Sequence, residues 1–376
     1  MKNKQIFLSY PEFTIGDFLA LNKTLNNLNK KPEQATKIIK NFEAKLASLH
    51  GVAHAVALSS GTASIHLGLK ALDIKQGDQV IIPSLTFAAT AFPVLYSGAI
   101  PIFMDVDKYS WTLDLDLLDA YLKNCKHSEL PKLIISVDLF GKTCDYDRLI
   151  DISNTYGVPI MIDSAESLGT KFRNFSPASK VPISIISFNF NKILTTLGGG
   201  ALLTNDKKIE LSARKLSNQA RENFHWYEHN EVGFNYRINS LQAALGISQL
   251  SRLEATVNIR RGIRNEYLKN LSGIKGLSVI QDSNWEISNS WLTLIRFDSQ
   301  IFPNGRDKVY NLLRQNNIES RFVWKPLHLQ PVFRGYTSIL TGSSEEIFRT
   351  SLCLPSSNFL TKAEIKKICI LIRKSL

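Results

Sequence analysis

The chain has 376 residues, 44% of them hydrophobic and 21% charged, with a formal net charge of +12. This is the composition of a soluble globular protein with a large core and room for two domains. The most apolar longer stretch, residues 87–104, contains Pro93, Ser97, Gly98 and Pro101, so it reads as a helix, a turn and a strand rather than a membrane span.

The basic residues are dispersed, with small clusters only at Lys30/Lys31, Arg260/Arg261 and Lys366/Lys367. No zinc-finger spacing or aromatic RNA-binding signature accompanies them, so no nucleic-acid partner is expected. A phosphate-bearing small substrate is the more economical use of the charge, and a merely solvated surface is the alternative. The four cysteines form no CxxC pair, which suits reduced thiols in a cytoplasm. Residues 1–10 lack the apolar region and cleavage site of a targeting segment, so a cytoplasmic location is expected. His225 and His229 stand four apart without a third ligand nearby, so no metal is expected.

In chain order, the first fifty residues are weakly patterned until Ile38, Phe42, Leu46 and Leu49 fall at helical spacing. That predicts an amphipathic helix ending near His50-Gly51. Ala55-Val56-Ala57-Leu58 follows as a short buried strand, then the turn Ser59-Ser60-Gly61-Thr62-Ala63-Ser64, then a helix bearing Ile65, Leu69 and Leu72. A strand turning through Ser-Gly-Thr into a helix presents free N–H groups and hydroxyls suited to phosphate, although many such turns bind nothing.

Residues 79–83 form the next strand. Phe87, just past its end, is placed to cover a flat cofactor or simply to fill the core. A helix over 88–96, a strand over 100–106, a helix over 117–124, a strand over 133–139 and a helix over 146–156 come next. The strand 158–162 ends in Asp163, followed by Ser164-Ala165-Glu166. Repeated strand–helix–strand units imply a parallel sheet with helices on both faces. Ligands gather at the C-terminal ends of such strands, so Phe140-Gly141, Asp163 and Lys192 are expected on one rim. There, Asp163 either keeps a pyridine nitrogen protonated or merely caps a helix.

The chain's central stretch is 183–200. Apolar, β-branched residues run from Val181 to Phe188, then Asn189, Asn191 and Lys192 appear, then Gly198-Gly199-Gly200 and a short strand at 201–203. A lysine at the end of a buried strand suits amine chemistry on a carbonyl, which needs the neutral amine that desolvation favours. The plain alternative is a surface lysine closing a strand. A helix through Leu216, the aromatic stretch 225–229 and the segment 233–240 follow. A helix with Leu241, Ala244, Leu245, Ile247 and Leu250 is predicted to continue to about Leu271 and to link two domains. The remainder reads as a strand at 291–297, a helix at 308–315, a strand at 321–324 and a loop at 324–328. Ser343-x-x-Glu346 and Thr361-x-x-Glu364 read as capping boxes opening two final helices. Residues 1–250 are thus expected to form a large α/β domain, and 251–376 a smaller α+β domain able to close over the rim.

Five motifs in order carry a resemblance: Ser59-Ser60-Gly61-Thr62-Ala63, Pro83-Ser84-Leu85-Thr86-Phe87, Asp163 to Gly169, Ser187 to Lys192 with Gly198 to Gly200, and Gly233-Phe234-Asn235-Tyr236-Arg237. From about Ile6 onward the chain resembles the DegT/DnrJ/StrS family of PLP-dependent nucleotide-sugar aminotransferases. It is most similar to the branch acting on UDP-4-keto-6-deoxy-N-acetylhexosamines, the bacillosamine-type enzymes. Trp324 to Phe333 and Leu352 to Ser356 also look like that branch. The resemblance implies a fold-type I aminotransferase, with a mostly parallel sheet flanked by helices and a smaller C-terminal α+β domain. It implies a homodimer with shared active sites, glutamate as amino donor, and the 4-keto carbon of a nucleotide-linked deoxysugar as acceptor.

By the same resemblance Lys192 holds pyridoxal 5'-phosphate (PLP) covalently and shuttles the proton. Asp163 pairs with the ring nitrogen, Glu166 lies on the hydroxyl side, and Phe87 stacks on the ring. Gly61, Thr62 and Ser187 hold the phosphate, with Asn235 reaching in from a second subunit. His229, Arg237 and His328 lie toward the sugar nucleotide. The chain departs from the family's pattern in lacking glycine over 174–184, in Phe190 two residues before the lysine, in Ile162 and Ser164 around Asp163, in Asp138 where the branch often has histidine, and around 26–36. None of these removes a catalytic group. A sugar dehydratase on the same fold would typically replace the lysine with histidine, so Lys192 argues against it. A sugar-nucleotide-binding or regulatory protein without transaminase activity is the rival reading.

Overall fold

The computed structural model describes residues 5–376. Its main sheet has eight strands in the spatial order His54–Leu58, Gly200–Thr204, Ile183–Ser187, Ile160–Asp163, Leu133–Val137, Gln79–Pro83, Ile100–Met104 and Ser338–Ile339. All run in one direction except Gly200–Thr204, which is antiparallel to both neighbours. The central strands Leu133–Val137, Ile160–Asp163 and Ile183–Ser187 are buried along their whole length. That is why they read as unbroken apolar runs: both faces are covered. Side chains alternate between the two cores. Val80 and Ile82 pack with Ile65 and Leu69 of the helix Gly61–Ala71, while Ile81 packs with Leu118, Leu122 and Leu149 of the opposite layer.

A second, antiparallel sheet has the order Arg321–Phe322, Ser351–Leu354, Thr293–Phe297 and Leu277–Val279. The helices Leu253–Leu271, Gly305–Gln315 and Lys362–Ser375 bury Tyr267, Leu313 and Ile368 against it.

Several expectations needed correction. The helix Ile15–Lys30 carries no sequence signal of burial, because Ile15, Phe18 and Leu19 are exposed and its buried positions are polar. It is anchored instead by Asp17, which pairs with Arg252 at 2.7 Å. The long linking helix is two helices, Ser240–Leu250 and Leu253–Leu271, broken at Ser251-Arg252. Arg252 leaves helical geometry there as its guanidinium reaches Asp17 and the carbonyl of Glu12. The helix over 88–96 is a 3-10 turn, Ala88–Thr90, and a short helix, Phe92–Tyr96, with Pro93 in its first turn. Ser343 makes no capping box. The buried Asp105, just past the strand Ile100–Met104, accepts from the N–H groups of Thr341, Gly342, Ser343 and Ser344 and caps that helix from outside. Thr361 does form its capping box with Glu364.

Candidate active site

The strand Ile183–Ser187 hands the chain to Phe188, which is fully buried against Phe42 with ring centroids 5.3 Å apart. Residues 189–192 then turn back, with the Lys192 N–H donating to the Asn189 carbonyl at 3.0 Å. A side chain at Gly200 would begin 2.5 Å from the backbone of Ser60 and Gly61. The glycine is therefore what lets the Ser60-Gly61 turn lie against the returning strand. In this setting Lys192 Nζ sits 3.3 Å from Glu166 Oε1 and 4.1 Å from the centre of the Trp291 ring.

The adjacent strand ends at Asp163. Its carboxylate accepts from the Thr90 hydroxyl at 2.7 Å and the Ala165 N–H at 3.1 Å. Burial pushes this carboxyl above the usual range, and the Thr90 and Ala165 hydrogen bonds and the Lys192 charge pull back against it. Glu166 is likewise raised by burial, opposed by Lys192 and by the Phe140 N–H, which donates to it at 2.7 Å. Beneath this loop Asp138 is fully buried and accepts from the hydroxyls of Tyr146, Ser164 and Ser167. Burial pushes its carboxyl up to about 7.

These groups surround one cavity of about 380 Å³ at the C-terminal ends of the strands. Gly61 and Thr62, at the start of an eleven-residue helix, line it together with Ser187. The first N–H groups of that helix have no partner within it and attract an anion. Asp163, Glu166 and Lys192 line the cavity as well, and Phe87 and Trp324, with ring centroids 5.4 Å apart, contribute apolar walls. Eight residues expected at the site split accordingly: Gly61, Thr62, Phe87, Asp163, Glu166, Ser187 and Lys192 meet here, and Asn235 does not.

Asn235 and Arg237 are exposed, in short bridges to Asn218 and Leu58. His229 is exposed and its Nδ1 lies 2.8 Å from the Gln219 carbonyl. His328 is engaged on both ring nitrogens, by Ser84 at 2.6 Å and Glu345 at 3.2 Å. Within one chain, none of these four lines the cavity. Thr90, Asn191, Trp291 and Trp324 do, and the sequence assigned them no role. Thr90 is hidden in an apolar run, and Trp291 looks like the first residue of an ordinary strand.

A ligand that needs an anion cradle at one end, an acid for a ring nitrogen, an aromatic wall and an amine partner is PLP, and the residues present fit it. The fold and cavity together define a fold-type I, PLP-dependent aminotransferase. The chain belongs to the DegT/DnrJ/EryC1/StrS aminotransferase family, the PLP-dependent sugar aminotransferases, whose family model matches residues 21–373. It is 40% identical over 332 residues to a Bacillus subtilis (strain 168) protein carrying the name of a pyridoxal phosphate-dependent aminotransferase, EpsN, covering 87% of this chain and 85% of that one. It is 31% identical to the GDP-perosamine synthase of Vibrio cholerae, over 89% of each chain. A crystal structure of a DegT/DnrJ/EryC1/StrS aminotransferase from Brucella abortus superposes with a TM-score of 0.86 at 30% identity, covering 95% of each chain.

Proposed function

We propose that this enzyme moves an amino group from glutamate to the 4-keto carbon of a nucleotide-linked deoxysugar, with a UDP-4-keto-6-deoxy-N-acetylhexosamine as acceptor, in cytoplasmic steps of cell-surface glycan biosynthesis. The observation that carries the reading is the meeting of Lys192 Nζ, Glu166 and Asp163 in one cavity with the helix start at Gly61. When bound, PLP supplies a carbonyl for amines to condense with and an electron-withdrawing ring. Lys192 would be the covalent attachment point, and its Nζ would be the group that moves a proton at the substrate carbon. Asp163 would hold the ring nitrogen, Glu166 the hydroxyl side, and Phe87 would cover the ring. The Gly61 and Thr62 N–H groups and the Ser187 hydroxyl take the phosphate.

The acceptor's nucleotide diphosphate agrees with the net charge of +12 and with the nucleotide-sugar name of the Vibrio cholerae relative. The choice of UDP and of the 4-keto position rests on the motif resemblance. A homodimer completes the site in this reading. Phe224, Trp226, Tyr227 and Val232 are exposed beside His229, Asn235 and Arg237. A second copy against that surface covers them and brings Asn235 to the phosphate and His229 and Arg237 to the sugar nucleotide, with His328 on the rim beside Ser84.

The test is the visible absorption of the purified protein with PLP. A yellow band is expected, bleached by glutamate and restored by the 4-keto UDP-sugar with formation of the 4-amino sugar. Lys192→Ala is expected to abolish the band and the product. Product formation by that variant sinks the assignment, and a wild-type protein that gives no band at all moves the reading to a non-catalytic sugar-nucleotide-binding protein.

A further inference from the structure

The segment Asn289-Ser290-Trp291 has no part in the chemistry above, yet it is fully buried and touches both loops that carry the charged groups. Asn289 Nδ2 donates to the carbonyls of Glu166 at 2.9 Å and Leu168 at 3.0 Å, and its N–H donates to Thr170 Oγ1 at 2.9 Å. Trp291 Nε1 donates at 2.8 Å to the carbonyl of Asn191, the residue before Lys192, and the indole face lies 4.1 Å from Lys192 Nζ. The two arms are locked together, because the Trp291 N–H donates to Asn289 Oδ1 at 2.8 Å. Between them Ser290 holds a left-handed φ of 54°, a costly conformation for a residue with a side chain.

The surroundings are built to keep the segment there. A side chain on Gly141 would begin 2.1 Å from Asn289 Oδ1, so that glycine makes the room. Arg260 is buried and donates to the Trp291 carbonyl at 3.2 Å and to Ser9 Oγ at 3.3 Å. Ser9 Oγ in turn donates to the same Asn191 carbonyl at 3.1 Å. The Asn191 carbonyl is thus gripped from two sides.

We propose that Asn289-Ser290-Trp291 is a positioning strap that fixes Lys192 relative to the Glu166 loop, with Trp291 as its working residue. This deepens the reading of Lys192 as the PLP attachment point and rests on it. Trp291→Phe keeps an aromatic face while removing the indole N–H and part of the buried ring; Trp291→Leu removes the aromatic face as well. Full-length protein freed of PLP is mixed with PLP, quenched with borohydride at intervals, and the labelled lysine is mapped by mass spectrometry. Capture at Lys192 is expected to slow about tenfold in Trp291→Phe, the worth of one lost hydrogen bond, and further in Trp291→Leu.

Non-covalent PLP affinity is measured in a Lys192→Ala background, where a general loss of structure lowers it and a positioning defect leaves it within about threefold. Wild-type capture rates in Trp291→Leu overturn the strap alone. A parallel fall of capture and of non-covalent affinity also overturns it, because that is a structural lesion. Failure of wild-type protein to label Lys192 overturns the attachment assignment and the strap with it.

Discussion

Asp163→Asn separates the chemical role of this carboxylate from its structural one, because the two predict opposite signs. Asp163 Oδ1 accepts from the Ala165 N–H, and Oδ2 accepts from the Thr90 hydroxyl, which also lies 2.9 Å from the Thr86 hydroxyl. An asparagine fits this pattern without an orphaned group. Its oxygen keeps the Ala165 N–H, its amide donates to Thr90 Oγ1, and the Thr90 proton turns to Thr86. What is lost is the charge. Burial holds the Asp163 carboxyl above its ordinary value, so its ionised form burdens the folded state as pH rises. The contribution of this group to stability is therefore greatest at low pH and lost as pH rises through its folded value. The PLP-free variant is expected to melt at a higher temperature than wild type at neutral pH. In the proposed glutamate half-reaction the variant would lose the charge-assisted contact to the ring nitrogen that is proposed for Asp163, about 2–3 kcal/mol, or roughly 30- to 150-fold in rate. Stopped-flow decay of the visible band reads the rate, and calorimetry without PLP reads the stability. A variant that melts lower and reacts at the wild-type rate refutes both halves of the reasoning.

Asp105→Asn tests the cap that joins the main sheet to the helix Ser343–Thr350. If the remaining oxygen keeps the Thr341, Gly342 and Ser343 donors, the amide is left facing the N–H groups of Val106 and Ser344. The loss of two bonds to a charged acceptor is expected to cost about 3 kcal/mol in urea unfolding; coincident midpoints would contradict it. Because those donors hold the Asp105 carboxyl below its ordinary 3.8, the gap should persist at neutral pH and close only as pH falls through that lowered value. Asp138 has the opposite sign. Its carboxyl sits at about 7 in the fold against 3.8 ordinarily, so its contribution is full below 3.8 and lost as pH rises through about 7. Relative to wild type, Asp138→Asn should gain stability between pH ~4 and ~7, and parallel urea midpoints across that range would count against the buried-acid assignment.

Much of the fold is legible in the sequence because its central strands are buried on both faces, and burial on both faces writes an unbroken apolar run. The strands around 79–83, 133–137 and 183–187 could be read for that reason, and the helix Tyr146–Tyr156 from the helical spacing of its buried Tyr146, Leu149 and Ile152. The βα order then places Asp163 and Lys192 at one rim, since the strands Ile160–Asp163 and Ile183–Ser187 run parallel and so end on the same edge of the sheet. The helix Ile15–Lys30 and the break at Arg252 were illegible because one polar partnership, Asp17 with Arg252, decides both across 235 residues.

The sequence by itself determined the class of this protein. Local residue patterns specify strands, turns and the glycine-lined loop that must sit beside Lys192. Only the tertiary structure decided what surrounds that lysine. Trp291 and Asn289 come from a segment about a hundred residues away, and no local periodicity records which distant carbonyl an indole N–H will meet. Asp105 capping a helix that begins at Ser343 follows the same rule: long-range hydrogen bonds are chosen by packing geometry, after the local pattern has already been spent on making the elements.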